Sequence, residues 1–278
     1  MGHATEMEKS PVLEPDLDSY YQYFIGMVRW MVEIGRVDII TGVSLLASQL
    51  EIPREGHLEY FPDVYAFLQD KYNSRMALDP TYTEINKSSL KECEWKDSYG
   101  YCEEEVPSDD PKSRGKGDDL RLYVDIDHAR EKRTRRSRSG FFIYMNTDLI
   151  KLFSNKQSTI ETSVFGDDFV AIKIGKELLR GLRYNIRMMR VEIYGTLFIY
   201  DDNMSMIKNT QHLESTMNKK SNFFIYNAMR ESVATGESIT AHIGTNENIA
   251  DLATKVLYGG KQTRMVRNIL YAIYDDEH

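Results

Sequence analysis

The sequence predicts an α/β protein with a mixed five-stranded sheet flanked by helices over residues 119–258, preceded by a small helical lobe over 19–74. Three observations carry this. The apolar period is helical before residue 75 and becomes two after residue 118. A polar, acid-rich stretch, 75–118, separates the two regimes and reads as a linker or insertion of low order. The 278 residues are 41% hydrophobic, enough to bury a sizeable core.

The elements follow in order. Residues 1–18 are acidic, lack an apolar signal core and are expected to be disordered. Tyr20, Phe24, Met27, Val28 and Met31 share one helical face, and Ile39, Val43, Leu46 and Leu50 another. Leu58, Phe61, Tyr65, Leu68 and Tyr72 also fit a helix, but Pro62 lacks an N–H, so the helix restarts or kinks there. Leu122, Val124 and Ile126 then alternate with Tyr123, Asp125 and Asp127, which makes a strand with both aspartates on one side. Gly140 to Met145 and Leu149 to Ser154, joined by the turn at Asn146-Thr147-Asp148, complete a three-stranded meander. Phe165, Phe169, Ile172, Leu179, Leu182 and Ile186 mark a long helix, followed by a strand at 196–200 and a short helix after Asn203. A helix at 219–234, a strand at 238–243, a helix at 247–257 and a tail over 259–278 end the order.

Charge is uneven. Residues 1–118 hold 12 basic and 23 acidic side chains, whereas 119–278 hold 23 and 20. Arg130, Lys132, Arg133, Arg135, Arg136 and Arg138 crowd one segment, which suits a polyanion or a plain solvated loop. No apolar run is long enough for a membrane span, so an intracellular protein without a membrane partner is expected. Cys93 and Cys102 lack metal or disulfide spacing and read as free thiols. His128 and His242 read as core or surface histidines, and no nucleophile–base pair stands out.

Four acidic positions fall at element ends: Asp125 with Asp127, Asp168 with Asp167, Asp202 with Asp201, and Asp251. A mixed sheet that places its first and fourth strands side by side lets such carboxylates converge. Converging carboxylates repel unless cations compensate, and hard oxygen ligands suit Mg²⁺ or Mn²⁺. Two such ions would serve phosphodiester hydrolysis.

The order of motifs resembles the C-terminal ribonuclease H domain of copia-type LTR retrotransposon polyproteins. Tyr123-Val-Asp125-Ile-Asp127 is similar to that family's first strand, and Thr134-Arg135-Arg136-Ser137-Arg-Ser139-Gly140 to its next turn. Ser154-Asn-Lys156-Gln157, Phe169-Val-Ala171, Tyr200-Asp201-Asp202-Asn203 and Ala250-Asp251-Leu-Ala-Thr254-Lys255 continue the match. Upstream, Ile25-Gly26, Arg29-Trp30, Arg36-Val-Asp38-Ile39 and His57 resemble the helical segment joining a reverse transcriptase to its ribonuclease H domain. The resemblance implies a ribonuclease H-like fold and four metal-binding carboxylates: Asp125, Asp168, Asp202 and Asp251. It also implies two Mg²⁺ (or Mn²⁺) ions and an RNA–DNA hybrid partner, contacted by Arg133, Arg135, Arg136, Lys156, Asn203 and Lys255. The rest of a polyprotein would be a further partner, and the location cytoplasm, retrotransposon particle or nucleus. Polymerase activity is not expected.

The chain also departs from that family. Asp168 stands where the family has Glu, Lys219-Lys220-Ser221 lacks the family's His, Val37 replaces a Pro, and Pro62 interrupts a family helix. Three readings stay open: an impaired ribonuclease H, a catalytically dead module that binds nucleic acid, and a remnant without function. Two false leads are set aside. Tyr200-Asp201-Asp202 lacks the spacing of a polymerase turn, and Gly259-Gly260-Lys261 is expected to cap a helix end rather than form a phosphate loop.

Overall fold

The computed structural model describes residues 9–76, 78–79, 81, 95–104, 106–129, 134–161, 163–215, 222–257 and 259–271. Arg133, Cys93 and Lys219-Lys220-Ser221 lie outside the described residues. In the N-terminal part, α1 (Pro15–Glu33) is followed by a 3₁₀ turn (Val37–Ile39), α2 (Ile40–Ala47), α3 (Glu55–Leu58) and α4 (Phe61–Asp70). The expectation of disorder to residue 18 is corrected from residue 9 onward. Leu13 is buried, Val12 bridges Arg54, and Pro15 opens α1, where a missing N–H costs nothing and Asp16 and Asp18 complement the helix dipole. Pro62 sits in the first turn of α4, so the apolar pattern does restart there.

The stretch expected to be a linker carries β1 (Arg75–Met76), α5 (Lys96–Tyr99) and β2 (Arg114–Asp118). Its described parts are anchored by specific groups. Trp95 is buried under the Arg230 guanidinium, 5.0 Å from the ring centroid, and Glu104 pairs with Arg183 at 2.7 Å. The low-order reading came from composition, which does not register these two anchors.

The sheet follows: β3 (Leu120–Asp127), β4 (Arg138–Met145), β5 (Asp148–Lys156), then α6 (Val164–Met188), β6 (Val191–Ile193), β7 (Leu197–Asp201), α7 (Met204–Gln211), α8 (Phe223–Ala234), β8 (Ser238–His242), α9 (Asp251–Thr254), α10 (Gly259–Arg267) and β9 (Leu270–Tyr271). Its strand order is β5-β4-β3-β7-β8, antiparallel across β5, β4 and β3 and parallel across β3, β7 and β8. The first and fourth strands of the predicted order, β3 and β7, are therefore neighbours, and the mixed five-stranded sheet stands. Short β6 pairs with β2, and β9 with β1.

Helices cover both faces. On one, Phe169, Ile172 and Leu179 of α6 pack on Leu122, Val124 and Ile199, and α6 crosses β3 at Gly175, where a Cβ would stand 2.9 Å from Leu122. On the other, Tyr21, Ile25 and Leu46 of the N-terminal helices share one cluster with Phe142 and Leu152 of the sheet and Leu252 and Ala253 of α9. A helical lobe packed apart from the sheet is thus corrected to one body. The lobe's apolar faces are completed only by the opposite sheet face, which a helical wheel cannot show.

Two C-terminal expectations change as well. The helix expected over 247–257 is only α9, because the buried Asn248 side chain donates to the Val124 carbonyl at 2.7 Å and accepts the Ala250 N–H, competing with helical bonding until Asp251. Gly259, at φ +56°, opens α10 rather than closing a helix, so residues 259–271 are not a tail.

Candidate active site

The predicted carboxylates gather where β3 and β7 end. Asp125 is third from the end of β3 and points away from α6, since the odd positions of β3 alternate with the α6-facing Leu122 and Val124. α9 reaches it across Gly140, the residue paired with Asp125 in β4, where a Cβ would lie 2.6 Å from Thr254 Cγ2 and 2.7 Å from Ala253 Cβ. That close approach brings Asp251 and Lys255 over the strand end. Lys255 Nζ stands 3.0 Å from Asp125 Oδ1 and 2.6 Å from Asp251 Oδ1, the Thr254 hydroxyl donates to Asp125 Oδ2, and Lys261 Nζ reaches Asp251 Oδ2 at 2.5 Å.

From the other face, α6 is N-capped by Ser163, which accepts the Gly166 N–H, and its first turn buries both Asp167 and Asp168. Asn203 donates from its side chain to Asp168 and from its backbone to Asp201 Oδ1 at 2.6 Å, while its side-chain oxygen caps α7. Asp201 is buried and its Oδ2 has no hydrogen-bond partner among the described residues; Asp202 beside it is half-buried.

These groups sense one another. Burial, opposed by Lys255 and reinforced by Asp251, pushes Asp125 up to about 7. Burial also carries Asp168 up to about 7, against the Asn203 bond and with the charges of Asp125, Asp202 and Asp167. Asp201 is raised by burial and then by Asp168. Lys255 shows the reverse balance: burial pulls it down, but Asp125 and Asp251 outweigh that and hold it above the usual lysine range.

The donor types suit a hard divalent cation, yet the arrangement does not fit two. All four oxygens of Asp125 and Asp251 are bonded to ammonium or hydroxyl groups, and Asp168 is bonded to Asn203. Among the described residues, no three acidic, histidine or cysteine side chains stand together closely enough to hold an ion. The geometry therefore brings Asp125 and Asp251 onto one lysine and sets Asp168, Asp201 and Asp202 beside them as a cation-poor group.

The expected nucleic-acid contacts divide. Lys255 and Asn203 are engaged inside the protein, because the buried carboxylates beside them need donors. Arg135 is exposed at φ +55°, Arg136 is half-buried, and Lys156 is half-buried at the end of β5. Arg138, in the same basic run, is buried and donates to Ser44 of α2 instead. Sequence reasoning set Asp167 beside Asp168 but carried only Asp168 into the site, read His128 as a core or surface histidine, and put Lys261 at a helix end. Lys261 lies ten residues beyond Asp251, a separation at which no motif signals a partner.

No protein-family model matches the chain, and no curated protein matches it. Among solved structures, it is similar to the N-terminal RNase H domain of a Mycobacterium tuberculosis protein fused to maltose-binding protein, at 8% identity and a TM-score of 0.38, covering 54% of this chain and 98% of that one. It is also similar to LC11-RNase H1, solved in complex with an RNA/DNA hybrid, at 13% identity and a TM-score of 0.38, covering 49% of this chain and 93% of that one.

Proposed function

We propose that the chain is a ribonuclease H-type hydrolase, impaired in rate, that cleaves the RNA strand of RNA–DNA hybrids and derives from a copia-type retrotransposon polyprotein. One observation supports the reading: Asp125 of β3, Asp168 of α6, Asp251 of α9 and Asp202, just after β7, influence one another pairwise near the ends of two adjacent parallel strands, and burial and neighbouring carboxylates raise Asp125 and Asp168. Carboxylates held this way need a cation or a proton to stay buried. Mg²⁺ or Mn²⁺, the two-ion cofactor implied by the family resemblance, would supply charge neutralisation at the phosphoryl group. Before such ions could bind at Asp125 and Asp251, Lys255 and Lys261 must leave those carboxylates.

The chain's own residues would do the rest. Arg135, Arg136 and Lys156 offer cationic groups to the hybrid backbone, which positions it without reading its sequence. Asn203 fixes the turn after β7 through Asp168 and Asp201 and so holds the carboxylates of α6 and β7 in one register. A second reading, a module that binds hybrids without cleaving them, is favoured by the lysine bonds to Asp125 and Asp251. Incubating the folded chain with a labelled RNA–DNA hybrid, with and without Mg²⁺ or Mn²⁺, separates the two. Binding with cleavage supports the hydrolase, and binding without cleavage under every condition supports the module.

A further inference from the structure

Asp167 is fully buried in the first turn of α6, and its surroundings form a unit of their own. Its Oδ2 accepts the Ser137 hydroxyl at 2.5 Å and is in hydrogen-bond contact with His128 Nδ1. Ser137 Oγ accepts the Ala129 N–H at 2.9 Å, which pins a backbone held at φ +48°. The His128 side chain is 33% exposed, and no described residue hydrogen-bonds its Nε2. The unit joins the carboxylate site through Asp167, which immediately precedes Asp168 and whose charge raises it, and His128 lies three residues beyond Asp125, just past the end of β3.

A buried carboxylate that accepts from Nδ1 selects the neutral tautomer with its proton there, turns the Nε2 lone pair outward and stabilises the cation formed when Nε2 takes a proton. We propose that His128 is a general base at this site, with Asp167 and Ser137 as its positioning residues. The inference rests on the hydrolase reading. In the step it serves, a water oxygen bonds to phosphorus as the bond from phosphorus to the 3′ oxygen breaks. The water's proton passes to Nε2, the 3′ oxygen takes a proton from solvent, and nothing is oxidised or reduced. The charged groups on the elements that meet there are Asp125 and Asp127 of β3, Asp167 and Asp168 of α6, and Arg135 and Arg136 ahead of β4. His128 is outside the set bonded to Lys255 and Lys261, so those lysines do not compete with it.

The rival role is a plain structural clamp, and one substitution separates the two. In His128→Asn the amide nitrogen stands near the place of Nδ1 and can still donate to Asp167, while Nε2 is gone. Hybrid binding and melting temperature are expected to stay near wild type, with cleavage slowed about 100-fold or more, the usual effect of losing a general base. The fall in rate as the base is protonated at low pH should also vanish. Asn cleaving at the wild-type rate with the wild-type pH profile overturns the base and leaves the hydrolase reading standing. Wild type that binds the hybrid yet never cleaves it overturns both. A readout independent of activity is ¹⁵N NMR of the histidine-labelled full chain. A proton on Nδ1 of His128 is expected, and a ring whose single proton sits on Nε2 overturns the proposal whatever the variants do.

Discussion

Lys255 Nζ lies 2.6 Å from Asp251 Oδ1, four residues earlier in the chain, and the same ammonium bridges to Asp125 across the end of β3. A lysine ammonium thus sits between two of the four carboxylates expected to hold metal. Replacing it with an isosteric apolar chain, Lys255→Met, leaves buried Asp125 without a cation, Asp251 keeping Lys261, and should cost about 3 kcal/mol of stability. The same change frees one oxygen of each, Asp125 Oδ1 and Asp251 Oδ1, for a divalent ion. Mn²⁺ should therefore raise the melting temperature of Lys255→Met more than that of wild type, and calorimetry should show tighter Mn²⁺ binding. Equal Mn²⁺ affinity in both proteins would show that Lys255 does not compete for the site.

Acid–base linkage gives a second test. The folded-state pKa values of Asp125 and Asp168, about 7, lie above the ordinary 3.8, so the native state binds these protons more tightly than the unfolded chain. Stability from this source is full below about pH 4 and is lost as pH rises toward 7. Glu237 works in the opposite sense. Burial opposes its ionisation, but Arg180, Ser232 and Lys176 hold it down to about 2, so its contribution is present above its ordinary 4.5 and lost only as pH falls toward 2. Between pH 5 and 8 the aspartates dominate. Melting temperature should fall across that window, and Asp168→Asn should flatten the fall. A wild-type profile that rises from pH 5 to 8 would contradict the assignment.

The Arg135 and Arg136 pair bears on binding alone. If both contact phosphates, neutralising them to Gln should weaken hybrid binding at low salt and reduce the slope of log affinity against log salt by roughly 1 to 2, since each phosphate contact on a duplex contributes about 0.9. Titrations at several salt concentrations measure this directly. An unchanged slope would mark the segment as a solvated loop.

Gly140 tests how α9 is placed. A Cβ there would stand 2.6 to 3.1 Å from Thr254 and Ala253, including the Ala253 backbone carbon, so α9 must shift. Gly140→Ala should cost about 1–3 kcal/mol and displace Asp251 and Lys255 from Asp125. Denaturant unfolding reports the first effect, and a changed Mn²⁺ affinity the second.

Much of this was legible in the residues. The period-two run from Leu120 to Asp127 and the helical run from Phe165 to Ile186 are local patterns, and the structure bears both out as β3 and α6. What the sequence hid is long-range. Lys261 meeting Asp251, Asn248 reaching Val124 and Trp95 lying under Arg230 each join residues whose separation carries no periodic signal. The difference in burial between Asp201, at the end of β7, and Asp202, just beyond it, was hidden as well, because it follows from packing rather than from local pattern.

The Asp168 position is where residue chemistry and family resemblance diverge on activity. The resemblance has Glu there, and Asp168 holds its carboxylate one methylene closer to the α6 backbone, bonded to Asn203. A displacement of about 1 Å in a group that positions reacting atoms can lower a rate about 100-fold. Asp168→Glu should therefore raise Mg²⁺-dependent cleavage of an RNA–DNA hybrid by about tenfold or more. Adding Asp202→Asn should abolish the gain, because it removes a carboxylate whose charge Asp168 and Asp201 both feel. Hybrid cleavage assays on the wild type, the single variant and the double variant, each verified as folded by circular dichroism, decide the matter. Identical background cleavage in all three would reject the hydrolase and leave the hybrid-binding module as the better account of the buried carboxylates and their lysines.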